Sequence, residues 1–96
     1  MSITKQVVFV AKEESIEELK ALLETMVEPS RKSNGCLLYN IYQMVEKPDT
    51  FVVIESWADD EALKGHQNSA HYKHYKANFE PFTKDKSSNA LSMLNG

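Results

Sequence analysis

Two apolar runs, Cys36 to Gln43 and Thr50 to Ala58, are joined through Glu46-Lys47-Pro48-Asp49, a cluster of turn-forming residues. That spacing predicts an antiparallel hairpin, and the hairpin limits what the rest of the chain can build around it. In its second strand Phe51, Val53, Glu55 and Trp57 share one face, and Val52, Ile54 and Ser56 share the other. Apolar residues therefore stand on both faces of the sheet to which it belongs.

The flanking segments read as one strand and one helical region on each side. Ile3 to Ala11 is short and β-branched, with Val7, Val8 and Val10, and reads as a buried strand. Ser15 to Glu18 has capping-box spacing, with Ser15 as N-cap. Behind it Ile16, Leu19, Leu22, Leu23, Met26 and Val27 fall on one helix face. Pro29 should kink or end that helix, and Asn34-Gly35 supplies a left-handed exit. Asp59 can cap a short helix to about Gln67, and Ser69 a second one to about Phe79. In the latter Tyr72, Tyr75 and Phe79 form an apolar stripe with His71, His74 and Asn78 beside it. Ser88 to Leu94 is expected to be the last strand. The order β-α-β-β-α-β is the α+β, ferredoxin-like split arrangement: an antiparallel sheet with helices on one face only. The face of Val52 and Ile54 has no helix left to cover it, and a second subunit is the economical cover.

Composition narrows the function. Ninety-six residues suit one domain, spanning 1–96. A net charge of −3 with scattered basic residues argues against nucleic acid as a partner. No stretch approaches the ~20 apolar residues of a membrane span. The N-terminus lacks the pattern of a signal peptide, and the single cysteine, Cys36, cannot form an internal disulfide. A cytoplasmic location is expected.

All three histidines fall within nine positions, as His66-x4-His71-x2-His74. His71 and His74 have the spacing of metal ligands on a helix, but no carboxylate occupies a neighbouring turn position, so no metal is expected. His66 follows Ala62 and Leu63 at four and three residues and should face the sheet near Trp57 and Glu55. A half-buried histidine there can move protons near neutral pH. It can equally be a structural residue bonded to a backbone carbonyl. Cys36 reads as a structural thiol. No glycine-rich phosphate loop exists, so no nucleotide cofactor is indicated.

Glu55-x-Trp57, Glu61-Ala62-Leu63, His66 and Ser69-x-His71-Tyr72 together resemble the signature of the antibiotic biosynthesis monooxygenase domain. The resemblance extends to Val27-Glu28-Pro29-Ser30-Arg31 and Gly35-Cys36-Leu37, and covers the chain to about Phe82. It implies a dimeric α+β barrel with a pocket between each sheet and its helices. The family it points to includes cofactor-free oxygenases of quinols and anthrones, haem-degrading enzymes, an autoinducer-2-degrading isomerase and members without known activity. Haem degradation is disfavoured, because that branch has an aromatic residue in place of His66 and its iron-binding histidine where Lys76 stands. The asparagine that assists anthrone oxygenases is here Val53. The His66-x4-His71-Tyr72-Lys73 run resembles both the isomerases and the quinol-oxidising members.

The reading that follows is a homodimeric, cofactor-independent monooxygenase acting on a phenolic or quinol-like molecule and O2. His66 is its candidate base. Trp57, Tyr39 and Tyr72 are candidate pocket walls, and Asn40 or His71 candidate hydrogen-bond partners of the substrate. Two alternatives stay open: an isomerase of a small phosphorylated signalling compound, using His66, His71 and Lys73, and a non-catalytic stress or ligand-binding dimer.

Overall fold

A computed structural model describes residues 1–95. The first strand, β1 (Ile3–Ala11), runs through the middle of a four-stranded antiparallel sheet of order β2-β3-β1-β4. The hairpin is β2 (Cys36–Gln43) and β3 (Thr50–Trp57), with Tyr39 opposite Glu55 and Ile41 opposite Val53. Lys5 stands opposite Glu55 on the other side, so Tyr39, Glu55 and Lys5 form one row across three strands. Their side chains share the face that the helices cover.

The helical regions are α1 (Ile16–Glu24), α2 (Val27–Arg31), α3 (Asp60–Gln67) and α4 (Ala70–Asn78). Leu19, Leu22, Leu23 and Met26 from the first region and Tyr75 from α4 pack on Val7, Phe9, Phe51, Val53 and Trp57 of the sheet. A fully buried side chain such as Phe51 contributes roughly 2–3 kcal/mol, which is how a thin core holds a small chain together. The long first helix breaks at Thr25 and Met26 rather than at Pro29. Pro29 is the third residue of α2, where its missing N–H has no helical partner to lose.

Three local readings are corrected. Ser15 makes no capping bond; residues Glu13–Ser15 form a 3-10 turn, and the Ser15 N–H donates to the Lys12 carbonyl at 2.9 Å. The last strand, β4, is Thr83–Leu91 and not Ser88–Leu94. Its charged first half looks like a loop but pairs with β1 as a sheet edge, where charge discourages pairing with other chains. Asn40 alternates onto the open face with Val52 and Ile54, away from the helices.

Gly35 has φ +78°, and a Cβ there would lie 2.5 Å from the Ala62 Cβ. The left-handed turn that ends the first helical crossover is thus also where α3 is pressed onto the sheet. No helix among the described residues is long and apolar enough to cross a membrane.

Candidate functional site

The hairpin, β1, β4, α1, α3 and α4 enclose a cleft. Its cavity volume is about 60 Å³, within about 510 Å³ of empty space that includes open solvent at the mouth. One wall is apolar and aromatic: Val7, Phe9, Met26, Val53, Tyr39, Tyr72 and Tyr75. The remaining lining carries the ionisable groups Lys5, Glu55, His66 and Lys86.

Local sequence sets the position of His66. The Asp59 carboxylate accepts from the Ala62 N–H at 2.9 Å and starts α3, so Ala62, Leu63 and His66 all turn towards the sheet. Ser69 ends that helix and begins the next. Its hydroxyl donates to the His66 carbonyl at 2.6 Å and accepts from the Tyr72 N–H at 3.2 Å. His66 is thereby held between Trp57, whose ring centroid is 4.5 Å away, and Tyr72 at 5.1 Å. Its side chain is 2% exposed.

The polar partners of that imidazole are few. Nε2 lies 3.9 Å from a Glu55 carboxyl oxygen, which also accepts from the Trp57 indole N–H at 2.8 Å. Nδ1 is buried with no hydrogen-bond partner among the described residues. With its proton on Nε2, towards Glu55, the ring presents a free lone pair at Nδ1. Burial, then the neighbouring His71 and Lys5, pushes the His66 pKa down to about 4, so the ring is neutral at pH 7. Burial pushes Glu55 above the usual carboxylate range, partly offset by the indole hydrogen bond. Tyr39 and Tyr72 are raised by burial and then by Glu55, so both phenols stay protonated. A neutral imidazole here can accept a proton, and the Glu55 carboxyl oxygen 3.9 Å from Nε2 is the group placed to pair with the imidazolium.

The structure divides the residues singled out from sequence. His66, Tyr39 and Tyr72 line the cleft. Trp57 is fully buried beneath His66 and holds Glu55, so it supports the site and is not a wall facing the cavity. His71 sits half-buried beside His66, ring centroids 5.6 Å apart, with its Nε2 3.2 Å from the Ser69 hydroxyl. Asn40 is bound to Arg31 at 2.9 Å and to the Tyr42 hydroxyl at 3.4 Å on the open face, where it cannot reach a ligand in this cleft. Sequence reading missed Glu55 as a site residue, although its place on the Trp57 face marked it. It also missed Lys5 and Lys86, whose convergence depends on the β1–β4 pairing. Among the described residues no three His, Cys, Asp or Glu side chains are grouped as metal ligands would be.

A family model described as antibiotic biosynthesis monooxygenase matches residues 2–78. The chain is 33% identical over 66 residues to YcnE of Bacillus subtilis, provisionally named a monooxygenase, over 69% of this chain and 70% of that protein. It is 32% identical over 69 residues to Rv0793 of Mycobacterium tuberculosis, named in the same way, over 72% of this chain and 67% of that one. The crystal structure of PA3566 from Pseudomonas aeruginosa superposes with a TM-score of 0.93 at 31% identity, covering 97% of this chain and 94% of that one. The structure of Rv0793 does so with a TM-score of 0.92 at 25% identity, covering 100% and 98%.

Proposed function

The chain belongs to the antibiotic biosynthesis monooxygenase family, and from that premise we propose that it oxygenates a phenolic or quinol-like molecule with O2 and no bound cofactor. One observation carries the reading. A buried, neutral His66 with an unengaged Nδ1 lines an aromatic cleft and has the Glu55 carboxyl group behind it. Transfer of a phenolic proton to Nδ1, once the side chains covering it are displaced by the substrate, leaves an electron-rich anion, and that anion passes an electron to O2. Recombination then forms the carbon–oxygen bond. For a quinol the balance is quinol plus O2 giving hydroxyquinone plus water, with all four electrons drawn from the substrate. Tyr39, Tyr72 and Tyr75 supply ring-stacking surface and keep water away from the anion. The enclosed space is small, so a ring must enter through the wider mouth and displace side chains there.

A homodimer belongs to the same proposal. Val8, Val10, Val52 and Ile54 stand on the uncovered sheet face, with Tyr42 beside them 55% exposed and Leu38 39% exposed. A second copy of that face would bury them. The isomerase alternative has less support: Lys73, its phosphate ligand, is exposed on α4 and outside the cleft.

The test is turnover and melting temperature measured together on two variants. His66→Ala should lose roughly 10²–10⁴-fold in rate, the usual contribution of a positioned base. His74→Ala, exposed on α4, should keep its rate. Wild-type activity should rise with pH through about 4 and stay level to neutrality, following the His66 pKa. A folded His66→Ala protein with unchanged turnover would remove His66 from the chemistry.

A further inference from the structure

The end of the cleft opposite His66 has a chemistry that proton abstraction does not use. Lys86 projects from β4 on the helix-covered face, opposite Phe9 of β1. Its ammonium lies over three aromatic rings: 4.9 Å from the centroid of Phe79, 5.4 Å from Tyr75 and 5.7 Å from Phe9. Such rings stabilise a cation but complete no ion pair. Neither ion pair among the described residues involves Lys86. The nearby charges do not supply one. Burial first, then the charges of Lys76 and Lys5 and a side-chain hydrogen bond with Lys76, press its pKa down to about 8, with Glu55 as the only opposing influence. A half-buried lysine in the lining of a cavity, without a counter-ion, is an incomplete site.

We infer that Lys86, with Ser88 beside it in the lining, anchors an anionic oxygen group of the substrate, so that the ligand is an aromatic carboxylate and not an uncharged quinol. The inference rests on the reading of the cleft given above and extends it to a substrate class. The register sets the spacing. Lys86 and Lys5 are four residues apart along β1, about 14 Å at 3.4 Å per residue. Their long side chains narrow that gap, and Ser88 lies between the two rows. Glu55 and His66 hold the far end, beside Lys5. A single aromatic ring bearing a hydroxyl at one end and a carboxylate at the other matches this polarity: proton acceptor at one end, ammonium at the other. A monoanion fits better than a phosphate. Among the described residues no arginine, the usual bidentate partner of a dianion, lines the cavity, and Glu55 would repel the second charge.

The test is anaerobic titration calorimetry, which reads binding without turnover. The probes are 2,5-dihydroxybenzoate, hydroquinone and 4-hydroxyphenyl phosphate, against wild type, Lys86→Met and Lys86→Arg. Wild type should bind the carboxylate at least 10-fold more tightly than hydroquinone. Lys86→Met, which still covers the rings, should lose that preference while hydroquinone affinity changes less than about twofold. Lys86→Arg should retain most of it. Hydroquinone binding with no preference for the carboxylate would overturn the anion site and leave the phenol reading standing. Equal weakening of both ligands in Lys86→Met would also overturn it, because Lys86 would then only support the wall. Tighter binding of the phosphate than the carboxylate would overturn the monoanion assignment, and binding of no probe would defeat both readings.

Discussion

An imidazole 2% exposed and with a pKa of about 4 affects stability as well as reactivity. The unfolded chain takes up that proton first as pH falls, because a free histidine titrates near 6.5. The His66 contribution is therefore intact above pH 6.5 and is lost progressively as pH falls towards about 4, on the order of 3 kcal/mol in total. Glu55, whose pKa is raised, has the opposite sign: it favours the fold while protonated and loses that contribution as pH rises through its folded value. The prediction is that urea midpoints fall between pH 6.5 and 4 in wild type and fall clearly less in His66→Phe, which fills the site without a titrating group. Identical acid limbs in the two proteins would mean that His66 is solvated and free to charge. Much of this residue's setting was legible in sequence, since Ala62 and Leu63 at four and three residues before it define the buried face of α3. The absence of any partner for Nδ1 was not legible, because it depends on what Trp57, Tyr39 and Tyr72 bring around the ring.

Elements defined by local chemistry could be read directly, and those defined by distant pairing could not. Asp59 and Ser69 cap α3 and α4 as their positions suggest, because each side chain needs only the N–H three residues ahead. β4 could not be bounded this way. Lys84, Asp85 and Lys86 have poor strand propensity, and only pairing of this stretch with Phe9 to Ala11 makes it a strand. The same dependence hid Lys86 from the candidate site. Gly35 tests how firmly the hairpin positions α3. Gly35→Ala would place a Cβ against Ala62 in a left-handed backbone conformation. The conformation alone costs about 1–2 kcal/mol, and the contact must be relieved by moving α3. We expect a denaturation midpoint lowered by roughly 2 kcal/mol or more, with activity per folded molecule also reduced because His66 moves with its helix. Loss of stability at full specific activity would show that α3 yields elsewhere.

Among the described residues the sheet has its four α-helices on one side, and on the other an open face where Val8, Val10, Val52 and Ile54 stand among polar residues. The alternation of Val52 and Ile54 against Val53 and Glu55 already showed this in sequence. Sedimentation equilibrium should give a dimer at micromolar concentration, and Ile54→Lys should give a monomer; a monomeric wild type would contradict the barrel arrangement. Isotope labelling reads the proposed oxygenation itself. Protein freed of metal by chelation and showing no visible absorption would be supplied with a hydroxylated aromatic substrate under ¹⁸O₂. The account predicts one labelled oxygen atom in the product for each O2 consumed, no hydrogen peroxide, and loss of both signals in His66→Ala. Stoichiometric peroxide with an unlabelled product, or no O2 uptake with any phenolic substrate, would contradict it.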